Sequence, residues 1–294
     1  MLKKATSIIL LLVLTFTLSS CNNNLSNKTS NKRIKVVVSF NAMKELTYAV
    51  GKDKVDIQTI IPNGQEPHEY EPKVKDLVNL TDAKIFVYNG MELEKWSSNA
   101  INSVNNKNLI TVNASNGYNP IKTSGGAYDP HVWLSLKGAE YEAKKIMDAL
   151  IKSDPKDKSY FEKNYSDFKI KLDSLYNDYK TKYVNSPKKS FVTGHAAFNY
   201  LCRDFDIHQN SVEDVFADGE PSSQKLQELI TYCKTNKVTN IFVEDMVSPK
   251  LTNVLASEVG AKVTKIYTLE SKEDNLDYLK SMKKNLENIY MSLQ

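Results

Sequence analysis

Four histidines occur in the 294-residue chain, and three of them stand in loops stiffened by proline, glycine or small residues. His68 lies in Pro62-Asn63-Gly64-Gln65-Glu66-Pro67-His68-Glu69-Tyr70-Glu71-Pro72. His131 lies in Asp129-Pro130-His131-Val132-Trp133-Leu134, just ahead of a helical pattern. His195 follows Thr193-Gly194 and opens the pattern Ala196–Phe205. Neutral imidazole nitrogens suit zinc, and a carboxylate can complete a tetrahedron around it. The spacing is not a compact motif such as HExxH, so the inference rests on three imidazoles with similar settings. A single loop histidine is ordinarily solvated, and His208, in Asp206-Ile207-His208-Gln209, is assigned to the surface. Four carboxylates compete for the fourth position. Glu270 follows the strand pattern Val263–Tyr267 through Thr268-Leu269, Glu273 and Asp274 stand close behind it, and Glu244 follows Asn240–Val243. An open fourth position would instead make the site a zinc hydrolase, with Glu66, Glu69 or Glu71 as base. Asp204 and Asp206 read as a solvated acidic face. No GxSxG, P-loop or dinucleotide fingerprint occurs.

The elements that must position these loops alternate. Strand patterns are Lys35–Phe40, Val55–Ile61, Lys84–Tyr88, Leu109–Val112, Ser190–Val192, Asn240–Val243 and Val263–Tyr267. Helical patterns are Ala42–Val50 (ending at Gly51), Val74–Leu80, Lys137–Ile151, Ala196–Phe205, Ser222–Asn236, Pro249–Val259 (closed by Gly260) and Asn275–Leu293. Alternation of this kind predicts an α/β fold with parallel sheets, and ligands of such sheets bind beyond the carboxyl ends of the strands. Between the two halves, Asp154 can cap a helix with Pro155 at its first position. From there to Val184 no glycine or proline follows, and Phe161, Tyr165, Phe168, Leu172, Leu175 and Tyr179 recur every three or four residues. About 30 helical residues reach about 45 Å, more than one lobe, so this is a strut joining two lobes. The expected organisation is a lobe over 34–153, a connecting helix over 154–185 and a second lobe over 186–294. Any metal then lies in the cleft between lobes.

The first 33 residues have a different character. Lys3 and Lys4 precede an apolar run from Ile8 to Leu18, too short to span a bilayer and suited to a secretory leader over 1–20. Leu18-Ser19-Ser20-Cys21 resembles a bacterial lipobox, with cleavage before Cys21 and acyl chains on that residue. Several chains would hold the protein firmly on the extracytoplasmic face of the cell membrane. The Asn-, Ser- and Lys-rich stretch within 21–33 is a flexible tether. Without Lys3 and Lys4 the 39 basic residues become 37 against 35 acidic ones. That near-neutral balance, with no basic run, argues against a nucleic-acid partner. Cys202 and Cys233 lack CxxC spacing and are expected as buried thiols, with a disulfide between them left open.

Several of these segments together resemble the metal-binding solute-binding lipoproteins of zinc and manganese ABC importers, the cluster A-I family. They are PNGQEPHEYEP, Ala83–Trp96 (AKIFVYNGMELEKW), DPHVWL, Asp154-Pro155 with Tyr160 and Asn164, and HAAFNYL. The resemblance covers nearly the whole chain beyond the leader. It implies two four-stranded lobes, a connecting helix that limits their motion, and a buried metal held between them by His68, His131, His195 and Glu270. It implies a monomeric receptor, not an enzyme, which delivers its ion to a permease and its ATPase. Manganese-type members resemble a site of two histidines and two carboxylates, so His195 at the third position favours Zn2+ over Mn2+. The alternatives are a manganese receptor of the same family and a surface adhesin with a structural metal. The chain departs from the family pattern twice. Ser115–Tyr128 has no histidine, where many zinc members carry a His-rich loop. Thr268 replaces a frequent proline two residues before the carboxylate, which predicts a less rigid loop.

Overall fold

The computed structural model describes residues 33–123, 125–216, 222–246 and 248–294. The expected leader over 1–20, the expected acylation site Cys21 and the expected tether up to residue 32 lie outside the described residues. Among the described residues no helix is long and apolar enough to cross a membrane.

Short β-branched and aromatic runs form two four-stranded parallel sheets. The first contains β1 (Ile34–Val38), β2 (Val55–Thr59), β3 (Ile85–Tyr88) and β4 (Ile110–Asn113), in the order β2-β1-β3-β4. The second contains β5 (Ser190–Thr193), β6 (His208–Ser211), β7 (Asn240–Val243) and β8 (Lys262–Lys265), in the order β6-β5-β7-β8. Val36, Val37 and Val38 are all buried, which gives the continuous apolar run of a strand covered on both faces. Strand order reverses between β1 and β3 and again between β5 and β7. Each reversal opens a crevice at the carboxyl ends of the strands.

Nine helices are described: α1 (Asn41–Gly51), α2 (Val74–Leu77), α3 (Ser97–Ser103), α4 (Leu136–Ser153), α5 (Lys158–Val184), α6 (Asn199–Phe205), α7 (Ser223–Thr235), α8 (Pro249–Val259) and α9 (Tyr278–Ser292). The joining helix is α5. Asp154 caps the turn Pro155–Asp157 by accepting from the Lys156 N–H at 3.2 Å, and α5 continues for 27 residues. That is about 40 Å at 1.5 Å per residue. Its buried side chains Phe161, Phe168, Leu172, Leu175, Tyr179 and Tyr183 keep helical spacing and pack into one core. That core also takes in the first sheet, α4, α6 and α9. A smaller cluster, including Val192, Leu229, Ile241 and Leu255, packs α7 and α8 onto the second sheet.

Helix α3 has no counterpart among the sequence patterns and several element ends shift by one to three residues; three differences have a clear local cause. Strand β6, of sequence HQNS, carries no apolar signal; it exists because it pairs with β5 from Ser190↔His208 to Thr193↔Ser211. The terminal helix begins at Tyr278 instead of Asn275, because Asp274 and Asn275 have φ of 47° and 53°. Asp277 caps it by accepting from the Lys280 N–H at 2.9 Å. Helix α6 begins at Asn199 instead of Ala196, since the His195 carbonyl that would open the earlier turn accepts from Thr193 Oγ1 at 2.6 Å and Gln209 Nε2 at 2.7 Å. Both remaining thiols are free: Cys202 lies in the large core and Cys233 in the smaller one. Burial pushes both thiols up, which makes them poor metal ligands and poor nucleophiles.

Candidate metal centre

The His68 loop follows β2. Gly64, with φ of 83°, occupies the third position of a turn closed by the Gln65 N–H on Pro62 O at 3.2 Å. A left-handed φ at that position is the geometry glycine supplies without strain. Beyond the turn, the His68 N–H donates to Glu66 Oε1 at 3.1 Å, and the His68 side chain turns inward until it is 3% exposed.

His131 stands just ahead of α4, as its pattern predicts, but far in sequence from any strand. Seventeen residues separate it from the end of β4, and specific contacts hold it. Asn89, just past β3, donates to Pro130 O at 2.9 Å. Glu94 in turn accepts from the Asn89 and Gly90 N–H groups at 2.9 Å each. Tyr200 of α6 donates to Asp129 O at 2.7 Å. Asp129 is fully buried, and its Oδ1 accepts from both the His131 N–H and His131 Nδ1, each at 2.9 Å. That bond fixes a proton on Nδ1 and turns Nε2, the nitrogen that can take a metal once its own proton has left, toward the cleft.

His195 comes two residues after β5. Its N–H donates to Glu244 Oε1 at 3.2 Å, and its Nδ1 lies 3.5 Å from the same oxygen. Glu244, one of the competing carboxylates, is therefore a partner of His195. Glu273 and Asp274 pair with Lys265 instead, at 3.6 and 3.3 Å. Glu270 is the carboxylate that reaches the histidines. Thr268 Oγ1 donates to its Oε2 at 2.8 Å, so the residue expected to loosen this loop orients the carboxylate.

The four side chains converge. His131 Nε2 lies 3.2 Å from His68 Nε2 and 3.4 Å from His195 Nε2. Glu270 Oε1 lies 3.7 Å from both His68 Nε2 and His131 Nε2. All four residues offer donor atoms within 4.8 Å of one another. Zinc bonds of 2.0–2.1 Å in a tetrahedron separate donors by about 3.3–3.4 Å, a spacing that the two imidazole pairs through His131 already match. Glu270 Oε1 is buried and makes no hydrogen bond among the described residues. A buried carboxylate oxygen left so is costly, and a cation among the four donors removes the cost.

Electrostatics follow the geometry. Burial alone would raise the Glu270 carboxyl, but the imidazoles of His131 and His68 outweigh it and hold the group well below the usual carboxylate range. Burial alone would depress His131, but Asp129 and Glu270 outweigh it and hold the imidazole up at about 9. His195 is raised in the same way, with Glu244 overcoming burial, whereas burial lowers His68.

Three further residues complete the centre, and of these Phe216 carries no motif signal. Asp129 and Glu244 brace the imidazoles from behind. Phe216 sets its ring edge-to-face with His68, centroids 5.8 Å apart, and covers one side of the site. The Asp-Pro-His order was the available clue to Asp129, since a side chain two residues back reaches both the backbone N–H and Nδ1 of the histidine. His208 is exposed on β6, away from this group.

A family model described as zinc-uptake complex component A, periplasmic, matches residues 36–292. The high-affinity zinc uptake system protein ZnuA of Bacillus subtilis (strain 168) is 35% identical over 315 residues, spanning 100% of this chain and 99% of that protein. The manganese ABC transporter substrate-binding lipoprotein PsaA of Streptococcus pneumoniae is 31% identical over 306 residues, spanning 98% of each. Among solved structures, the laminin-binding protein Lmb of Streptococcus agalactiae matches with a TM-score of 0.83 at 33% identity, covering 89% of this chain and 100% of that one. It is described as a bifunctional protein with adhesin and metal transporting activity.

Proposed function

This chain belongs to the family of the periplasmic zinc-uptake complex component A, and from that membership we propose that it is an extracytoplasmic receptor for zinc. It captures Zn2+ between its two lobes, through His68, His131, His195 and Glu270, and delivers the ion to an ABC permease driven by its ATPase. The observation that carries this proposal is the convergence of four donor atoms within 4.8 Å of one another, one of them an unsatisfied buried carboxylate oxygen. Three imidazoles and one carboxylate favour zinc, a borderline-soft ion, over manganese, which prefers oxygen. Four protein donors fill a tetrahedral shell and leave no position for an activated water, which favours a receptor over a hydrolase. The domain limits 34–153, 154–185 and 186–294, the leader over 1–20, the tether over 21–33 and acylation at Cys21 complete the proposal, with the protein a monomer on the outer face of the membrane. A manganese receptor is the second reading, supported by the full-length similarity to PsaA.

Zinc accumulation in cells lacking the protein tests the proposal. The wild-type chain should restore accumulation from low external zinc, and His131→Ala should not. Full restoration by His131→Ala would remove the proposed site from transport.

A further inference from the structure

Glu270 belongs to the second half of the chain by sequence, yet its loop is fastened to the first half. Asn41, the first residue of α1 and 5% exposed, donates from Nδ2 to Leu269 O at 3.1 Å and to Ser271 O at 3.0 Å. One buried amide thus brackets Glu270 on both sides, across 228 and 230 residues of sequence. Two neighbours add to the grip. The Gly64 N–H donates to Ser271 Oγ at 3.0 Å, and Trp133 Nε1 donates to Thr268 O at 2.7 Å. The Glu270 loop is therefore hydrogen-bonded to the His68 loop and to the segment that carries His131.

The backbone explains why this fastening is needed. Leu269 has φ of 58°, the left-handed region, where a branched side chain is disfavoured. Its side chain is nevertheless buried, and such a conformation persists only where its surroundings over-determine it. The Leu269 carbonyl, aimed by that conformation, is one of the two that Asn41 holds. Released from Asn41, Leu269 would relax toward an ordinary backbone conformation. Glu270, the next residue, would then turn away from His68 and His131.

We propose that Asn41 is the positioning residue for the carboxylate donor. Its two hydrogen bonds hold the Leu269–Ser271 backbone so that Glu270 Oε1 faces the imidazoles before an ion arrives. Asn41 touches no metal; it acts through Glu270. This role rests on the proposed site, and it makes His68, His131 and Glu270 a preorganised three-donor group. Loss of an outer partner of a metal ligand typically weakens affinity about 10–100-fold, which sets the expected scale.

The test is a double-mutant cycle on the full chain, with zinc affinity measured by competition against a chromophoric chelator. Asn41→Ala should weaken zinc binding about 10–100-fold. Glu270→Ala should weaken it at least as much. The double variant should match Glu270→Ala within about twofold, because a residue that acts through Glu270 has nothing left to position. Asn41→Ser, which can satisfy only one carbonyl, should fall between wild type and Asn41→Ala, and it stands in if the alanine variant does not fold. Asn41 variants within twofold of wild type would overturn the inference, as would a loss that persists in full when Glu270 is already absent. Wild-type affinity in Glu270→Ala would instead overturn the proposed ligand set, so the two failures are distinguishable.

Discussion

Asp129→Asn removes the carboxylate 2.9 Å from His131 Nδ1 while keeping the shape of the side chain. Two effects on zinc binding follow, with opposite signs. The first is loss of orientation and basicity at His131, which costs about 10–100-fold in affinity. The second is relief from proton competition. In the metal-free protein the His131 imidazole is held up at about 9, so at pH 7 zinc must displace a proton from it. Two pH units below that value, the competition lowers apparent affinity by about 100-fold. With Asn at 129 the imidazole falls back toward its ordinary value, and this competition shrinks to a few-fold at pH 7. The losses therefore diverge with pH: small near pH 6.5, and growing toward the full 10–100-fold at pH 8.5. In wild type, log affinity should gain about two units from His131 between pH 6.5 and 8.5, and in Asp129→Asn less than one. Chelator-buffered zinc titrations across that range measure both slopes. Proton release, from calorimetry in two buffers of different ionisation heat, gives an independent count. Parallel pH profiles for the two proteins would refute the reasoning, because Asp129 would then not be setting the protonation of His131. Stability of the metal-free fold should respond in the opposite sense. The raised His131 value stabilises that fold below about pH 6.5, and the contribution is lost as pH rises through about 9.

Other substitutions probe other parts of the centre. His195→Glu replaces an imidazole by a carboxylate, so zinc affinity should fall while manganese affinity falls less or rises; an unchanged ratio of the two constants would take His195 out of the site. Phe216→Ala uncovers His68, and stopped-flow chelator chase should show zinc leaving several-fold faster; an unchanged rate would show that the ring does not guard the site. Cys21→Ala should move the protein from the detergent phase to the aqueous phase on Triton X-114 partition, since a single unacylated change removes the whole anchor; wild-type protein already in the aqueous phase would rule the anchor out.

The halves of this molecule differ in how much of them can be read from residue order. Val36–Val38 and Ile241–Phe242 announce buried strands by composition alone, and Gly260, with φ of 69°, ends α8 as its type predicts. The histidine loops were legible because proline or glycine sits beside each imidazole: Pro67, Pro130 and Gly194. Strand β6 was not: His208, Gln209 and Asn210 are polar, and pairing with β5 makes them a strand. The carboxylate choice was legible only to the level of four candidates. What separates Glu270 from Glu244 is that Glu244 spends one oxygen on the His195 N–H, a contact across 49 residues. Glu273 turns instead toward Lys265. Asn41 gave no signal at all, since its role depends on carbonyls more than two hundred residues away. Such contacts arise from the folded topology, and no local pattern records them.

Competitive titration of the metal-free protein with zinc and manganese, in matched buffer and with bound metal counted by mass spectrometry, tests the central claim most directly. A receptor built on three imidazoles and one carboxylate should bind one zinc ion per chain and hold it more tightly than manganese. His68→Ala, His131→Ala, His195→Ala and Glu270→Ala should each weaken that single site. Tighter binding of manganese than of zinc, or one zinc bound with undiminished affinity in all four variants, would contradict the account.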